Sequence, residues 1–478
     1  MLSFKANGYD GTGRTPRPQQ ADALEWLEVV WNQAQVFAIM MPVGVGKTYV
    51  ARSIQRLFPH TRCMTYSNSL VQQFKDDYPN VSVYMGVSNY KTKEEYKLAR
   101  WKAEDPDNDL ITNPMALYYL KSSSQDYTDS DVVVLDEADA IIGLLNNLVV
   151  KKFPITRHEM YRKGLTNPDN LANLFTERIA KWREELKAKY TSTRTKFSTI
   201  AKLESKIEKY EVITKALRLE PERMSITITK SEKGGNYFAF VRPVRLPSFI
   251  FKEVFGGAKV VMLSATIFHS DVLEALPASK IRRLEVDSPI PVDRRKVIFS
   301  PIHPDNWYPV PHQMLADKID KVLNKYEHLR PALIHATYSD ALEISRLMST
   351  PCLVYNSKEE KKGVVDKWLK EGGVLIGPGL SIGLDLKDDL CRLNIIPKIQ
   401  YPNTKDTYVQ KKRAINKMWY PLQAVKQVIQ ALGRSTRNEN DYSLGVILDN
   451  RWSSLRSQTK DYIPKFFHEQ VEYNVTEI

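Results

Sequence analysis

With 478 residues, 42% of them hydrophobic and 26% charged, the chain is long enough for two to four domains, since single cores stop growing at roughly 250 to 300 residues. Three scattered cysteines, Cys63, Cys352 and Cys391, exclude a disulfide framework, and no uninterrupted apolar run is long enough to span a bilayer. The net charge of +13 points to a polyanionic partner such as a phosphate backbone, against the plainer reading of a merely basic globular protein.

The opening residues, Met1 to Gly8, lack the apolar core of a secretion signal, so a reducing, cytoplasmic setting is expected. Up to residue 140 short apolar runs alternate with helical patterns. Residues 36–41, 62–66, 109–112 and 131–135 read as strands of a mostly parallel sheet, which makes this stretch an α/β domain. Between the first strand and the next helix runs Met41-Pro-Val-Gly44-Val45-Gly46-Lys47-Thr48, the setting of a P-loop. Gly44, Val45 and Gly46 bring backbone N–H groups around phosphate, Lys47 neutralises its charge, and Thr48 offers a hydroxyl to Mg²⁺. Met41 stands where the general pattern has a glycine. The strand at 131–135 runs into Asp136-Glu137-Ala-Asp139. Asp136 is placed to hold the metal and Glu137 to orient or deprotonate the attacking water.

Residues 141–223 differ in character. Apolar positions recur at steps of three and four through Leu171, Leu174, Phe175, Ile179, Trp182 and Leu186, and again through Phe197, Ile200, Leu203, Ile207, Tyr210, Ile213 and Leu217, predicting two long helices in an antiparallel hairpin. Eighteen Lys and Arg against ten Asp and Glu in residues 151–223 concentrate the basic charge there, although a charge run is usually a solvated face. Strand patterns at 225–229 and 237–241, joined across Gly234-Gly235, and at 259–263 return the chain to the first α/β domain, assigned to 224–279. Proline-containing segments at 288–311 mark the passage to a second α/β domain, assigned to 280–478, with strands at 296–300, 332–337, 374–377, 392–396 and 444–448.

Near the end, Gln430-Ala-Leu-Gly-Arg434-Ser-Thr-Arg437 sets a glutamine and two arginines on one side of a predicted helix. Guanidinium forks suit phosphate, so this reads as a phosphate clamp, with an ordinary amphipathic helix as its rival.

In this order the segments resemble a superfamily 2 helicase, and within it the XPD/DinG branch. Arg17-Pro-Gln-Gln20 resembles the element ahead of the P-loop, Thr65 to Leu70 motif Ia, Asp136 to Asp139 motif II and Ser264-Ala-Thr266 motif III. Ala332 to Tyr338 resembles motif IV, Gly383-Leu-Asp385 motif V, and Gln430 to Arg437 with Asp441 and Asp449-Asn-Arg451 motif VI and its sequel. Gln430 stands where DEAD-box RNA helicases carry histidine, which turns the likeness away from them. The resemblance implies two RecA-like domains with an Arch-like helical insertion in the first. It implies ATP contacts from Arg17, Gln20, Gly44 to Thr48 and Asp385, with Gln430, Arg434 and Arg437 acting from the second domain across a cleft. It also implies coupling through Ser264 and Thr266, and nucleic-acid contacts at Thr65, Ser67, Asn113 and Thr337. No cysteine lies between residues 64 and 351, so the four-cysteine iron–sulfur cluster of many relatives is not expected. The Lys-, Arg- and Tyr-rich region from 85 to 113 is a candidate replacement as a strand-separating element.

The expectation is therefore an ATP- and Mg²⁺-dependent helicase moving 5′ to 3′ as a monomer on single-stranded or forked DNA, RNA not being excluded, alongside replication or repair proteins in a bacterial or phage-infected cell. Two alternatives stay open: a nucleic-acid-stimulated ATPase that remodels protein–DNA complexes without unwinding, and a non-enzymatic strand-binding scaffold.

Overall fold

The computed structural model describes residues 2–124, 129–157, 159, 164–191, 196–230, 237–267, 280–302, 310–380, 386, 388–433, 435–436 and 440–472. The chain divides into two compact units, one of Met1–Ile39, Lys47–Leu284 and Thr404–Ile415, the other of Met40–Gly46, Glu285–Asn403 and Asn416–Ile478.

The first unit is built on strands β1 (Val36–Met40), β2 (Thr61–Thr65), β3 (Ser82–Tyr84), β4 (Leu110–Thr112) and β5 (Val132–Asp136), each expected one lying within a residue of its predicted place. Val132, Val133, Val134 and Leu135 are all buried, as an interior strand of a parallel sheet covered on both faces requires. The short β3 was not anticipated. Of its three residues only Tyr84 is buried, and they sit at the sheet edge.

The chain then leaves this sheet. Strand β6 (Lys151–Ile155) pairs antiparallel with β8 (Tyr237–Pro243), which pairs antiparallel with β7 (Met224–Lys230), making a separate three-stranded sheet. Here the structure differs from the reading that let residues 224–243 rejoin the first domain. The cause is that alternating strands announce pairing but not the partner, and the strand that claims the other edge of β8, β6, lies far upstream, Lys151 pairing with Val241 and Ile155 with Tyr237. Between β6 and β7 stand the two long helices expected, Pro168–Thr191 and Phe197–Leu219. Arg218 reaches Thr176, and Arg183 reaches Glu211, so residue numbers rise on one helix as they fall on the other. Phe153, Phe175, Trp182 and Tyr210 form an edge-to-face aromatic seam that fixes the hairpin onto the small sheet.

Strand β9 (Lys259–Ser264) returns beside β5, and β10 (Ile281–Glu285) closes the sheet in the order β10-β1-β9-β5-β2-β4-β3. The second domain was expected from residue 280; β10 belongs to the first sheet, and the passage falls at 284–285. As an edge strand, Ile-Arg-Arg-Leu-Glu buries Ile281 alone, so a search for apolar runs passes over it.

In the second unit β11 (Val297–Phe299), β12 (Ala332–His335), β13 (Leu353–Val354), β14 (Val374–Gly377), β15 (Leu393–Ile396), β16 (Leu444–Ile447) and β17 (Val471–Glu472) form an all-parallel sheet ordered β13-β14-β12-β15-β16-β11-β17. One face is packed by Leu315, Ile319 and Leu323 of the helix His312–Lys325, the other by Trp368 and Tyr355. The helix Thr407–Ile415 follows β15 in the chain yet packs with the first unit, against β7.

Candidate nucleotide site

Gly44 and Gly46 hold φ values of +87° and +85°, which a residue with a Cβ adopts only with strain, so the turn between β1 and the helix Lys47–Leu57 needs glycine at both places. Lys47 and Thr48 open that helix. Lys47 Nζ lies 3.0 Å from Glu137 Oε1, and Thr48 Oγ1 donates to Asp136 Oδ2 at 3.5 Å. The P-loop and the acidic end of β5, 88 residues apart in sequence, therefore form one cluster.

Asp136 Oδ1 is sealed from solvent and has no hydrogen-bond partner among the described residues. Burial, with the adjacent Glu137 carboxylate as the next cause, pushes the Asp136 carboxyl up to about 6, while Lys47 and Thr48 pull the other way. A buried carboxylate oxygen without a donor, beside a hydroxyl oxygen, is an all-oxygen set of the kind a hard divalent cation takes, so Thr48 and Asp136 fit Mg²⁺.

Glu137 carries φ +63° and ψ +55°, the left-handed region that non-glycine residues rarely occupy, at a cost of about 1 kcal/mol. It stands at the N-cap of the helix Ala138–Asn146, where this sharp turn lets its side chain reach Lys47 on one side and Ser264 Oγ, 3.4 Å away, on the other. Ser264 also donates to Asp139 Oδ1 at 2.7 Å, and Thr266 Oγ1 donates to Asp139 Oδ2 at 3.0 Å. Both hydroxyl residues are buried. The pair expected to couple the site to its surroundings thus grips Asp139, which was read as part of motif II but not as a site residue. Its spacing from Asp136 was visible; its partners, 125 and 127 residues away, were not.

Arg17 and Gln20 lie at the start of the helix Pro18–Val30, where the Gln20 carboxamide oxygen accepts the Arg17 N–H at 2.9 Å and completes the first turn. Tyr49, in the P-loop helix, donates to the Arg14 carbonyl at 3.1 Å and ties this element to it.

Among the expected nucleic-acid residues, Thr65 is buried and its hydroxyl donates to the Ser67 carbonyl at 3.2 Å. Ser67 caps the helix Asn68–Asp77, and Asn113 caps Pro114–Ser123. The starts of the two helices are joined, because Asn113 Nδ2 donates to Asn68 Oδ1 at 3.0 Å and Asn68 Nδ2 to Asn89 Oδ1 at 2.8 Å. This exposed amide chain runs along the ends of β2 and β4. In the region from 85 to 113 the helix Lys93–Glu104 leaves Leu98 and Trp101 exposed beside a tyrosine cluster of Tyr84, Tyr90 and Tyr96. In the second unit Thr337 caps Tyr338–Leu347, and its hydroxyl donates to Asp340 at 2.8 Å.

Gln430 lies in the last turn of the helix Trp419–Leu432, partly buried. Asp385, Arg434 and Arg437 lie outside the described residues. Ser435, between the two arginines in sequence, is fully buried and accepts a hydrogen bond from Asn394 Nδ2 at 2.7 Å. Asp449 and Arg451 form a second fixed point: Asp449 Oδ2 accepts the Ile399 N–H at 2.6 Å and pairs with Arg451, whose guanidinium also donates to the Ile399 carbonyl.

A Helicase C-terminal domain model matches residues 324–470, and a model of the Type III restriction enzyme res subunit matches residues 14–153. The Fanconi anemia group J protein homolog of Gallus gallus is 30% identical over 120 residues, 22% of this chain and 10% of that protein. ATP-dependent DNA helicase CHL1 of Candida albicans is 25% identical over 271 residues, 45% of this chain and 32% of that protein. The chain thus spans between a tenth and a third of the length of these relatives. Among solved structures, an XPD helicase superposes with a TM-score of 0.58 at 14% identity over 96% of this chain and 100% of that one, and Xpd4 of S. tokodaii with 0.55 at 15% identity over 96% and 100%. At such identity the likeness speaks for the fold. No helix of the described residues is long and apolar enough to cross a membrane. Two matched regions in the expected order, on an XPD-like pair of parallel-sheet units, make the chain similar to superfamily 2 helicases of the XPD/DinG-like branch.

Proposed function

We propose that the protein is an ATP-dependent helicase or translocase that hydrolyses ATP at the Lys47, Thr48, Asp136 and Glu137 cluster and moves 5′ to 3′ along single-stranded or forked DNA as a monomer. The observation that carries this reading is the meeting of the P-loop with the end of β5: Lys47 against Glu137, and Thr48 against a buried Asp136 with an unpartnered oxygen. DNA as the strand and the direction of travel rest on the family likeness; the named relative CHL1 is an ATP-dependent DNA helicase.

In this scheme Gly44, Val45, Gly46 and Lys47 hold the phosphates, and Gln20 with Arg17 contacts the nucleotide. Thr48 and Asp136 hold Mg²⁺, which when bound neutralises phosphate charge. Glu137 exchanges its pairing with Lys47 for the attacking water and takes up its proton, while Lys47 turns to phosphate. We assign Gln430, Arg434, Arg437 and Asp385 to the remaining nucleotide contacts. Ser264 and Thr266 report the state of the site through Asp139. The strand is met by Thr65, Ser67, Asn113 and Thr337, by the basic hairpin of residues 168–219, and by exposed Trp101 as a stacking wedge.

The test is unwinding of 5′-tailed and 3′-tailed DNA and RNA duplexes with ATP hydrolysis measured in parallel. Unwinding of the 5′-tailed DNA alone is expected. Strong strand-stimulated hydrolysis without strand separation would leave a translocase that remodels complexes, and equal hydrolysis by wild type and Lys47→Ala would end the enzymatic reading altogether.

A further inference from the structure

Asn394 is fully buried in β15, between β12 and β16 near the middle of the second sheet. A carboxamide in that position must satisfy its oxygen and both its hydrogens away from water, and leaving them unmet is costly. Its oxygen lies 3.2 Å from His335 Nε2, at the end of β12, and its nitrogen donates to Ser435 Oγ at 2.7 Å. All three residues are buried. A polar chain thus crosses from one strand end, through the sheet, to the segment just beyond the helix Trp419–Leu432. That helix stops at Gly433, whose N–H bonds the Ile429 carbonyl at 3.0 Å. Two residues further on, Ser435 is tied to the sheet by its hydrogen bond with Asn394. Thr436 beside it is also buried.

We propose that Asn394 is a positioning residue for the arginine-bearing segment. It fixes Ser435, and through Ser435 the backbone that carries Arg434 and Arg437; His335 sets which way the carboxamide faces. Buried polar chains of this kind define one arrangement among several that apolar packing would allow. Hydrolysis that depends on guanidinium groups held close to their productive position against phosphate is sensitive to such an anchor. The inference rests on the proposed hydrolytic reading.

The experiment compares Asn394→Leu, Ser435→Ala and the double variant in steady-state ATP hydrolysis with saturating oligonucleotide, alongside backbone hydrogen exchange of the full chain. Each single variant is expected to lower kcat about tenfold while leaving KM for ATP within about twofold, and the double variant to be no worse than the poorer single one, since both break the same Asn394–Ser435 hydrogen bond. Exchange at Gly433, Ser435 and Thr436 is expected to quicken in all three. Ser435→Ala removes one hydroxyl and keeps the test open should Asn394→Leu fold poorly. Wild-type kcat in both singles, or additive losses in the double, overturns the proposal. Lys47→Ala run in parallel separates the two claims. If wild-type turnover does not depend on Lys47, the hydrolytic reading falls and exchange decides alone: unchanged exchange rejects the anchor, and faster exchange upholds it.

Discussion

Arg242 and Asp406, 164 residues apart in the chain, meet in a two-pronged ion pair, Nη1 to Oδ2 and Nη2 to Oδ1, both at 2.6 Å. The guanidinium also lies over the Phe240 ring at 4.4 Å and the Tyr408 ring at 4.5 Å. Asp406 in turn accepts the Tyr408 N–H and starts the helix Thr407–Ile415. The pairing holds the Asp406 carboxyl below the usual carboxylate range. This helix is followed directly by the one that bears Gln430, so the small antiparallel sheet of the insertion is linked through a few residues of backbone to the proposed phosphate-contacting segment.

Arg242→Ala is expected to lower unfolding stability by about 1–2 kcal/mol, since it removes a largely buried, charge-assisted bidentate contact and two ring contacts together. Urea denaturation measures the loss, and protease cleavage between residues 397 and 418 should accelerate. The exchanged pair Arg242→Asp with Asp406→Arg should recover part of the loss; no recovery would show that the rings, not the charges, hold the helix.

Lys47→Ala should reduce ATP hydrolysis about 100-fold or more, as expected for loss of a charge aimed at phosphate. It also leaves Glu137, in its left-handed turn, without its ion-pair partner. A role that needs a compact point charge, and not positive charge alone, predicts that Lys47→Arg fails nearly as badly, because the wider guanidinium does not substitute for an ammonium within the P-loop. Equal activity of the arginine variant would contradict this.

The Asp136 carboxyl is raised by burial and by Glu137, so its charge costs stability above about pH 6 and the cost is relieved as pH falls from there towards the ordinary carboxylate value. Without metal, wild type should gain thermal stability relative to Asp136→Asn on going from pH 7.5 to pH 5. Mg²⁺ needs the ionised form, so the Mg²⁺ concentration giving half-maximal hydrolysis should climb as pH drops below about 6. A flat Mg²⁺ requirement over pH 5 to 8 would remove Asp136 from the metal site.

Glu208, on the second hairpin helix, is pushed up to about 7 by burial and then by Glu204 and Glu211, with Arg100 opposing. By the same sign, its charge destabilises above about pH 7 and the penalty vanishes towards pH 4.5. Glu208→Gln should therefore raise Tm by about 1–3 °C at pH 8 and leave it unchanged at pH 5. A gain at both pH values would point to packing instead of charge.

Ser264→Ala with Thr266→Val strips the Asp139 carboxylate of two donors. Strand separation should fall about tenfold, with hydrolysis reduced less than about threefold, if these hydroxyls couple the site to movement and do not serve the chemistry itself. Equal losses in both assays would assign them to the reaction.

Much of the fold was legible because buried parallel strands write themselves as unbroken apolar runs, as Val132 to Leu135 and Leu333 to Ile334 do, and because the P-loop is a local spelling. The hairpin helices were equally plain from their spacing. What stayed hidden was pairing over distance. Nothing near Lys151 announces Val241, nothing near Arg242 announces Asp406, and Asn394 in a run of leucine and isoleucine reads as an interruption until His335 and Ser435 stand beside it. Edge strands β3 and β10 were missed for a related reason, since a half-exposed strand carries little apolar signal.

The first unit draws its residues from three separate stretches, the last being Thr404–Ile415. During synthesis from the N-terminus it cannot be finished when Leu284 has been made; the helix that covers Arg242 and the face of β7 is translated more than a hundred residues later, after five strands of the second sheet. Until then a guanidinium destined for burial waits without its carboxylate. A chain terminated before residue 404 would thus damage the half of the protein that had already emerged, and the two halves could not be inherited or exchanged as independent cassettes.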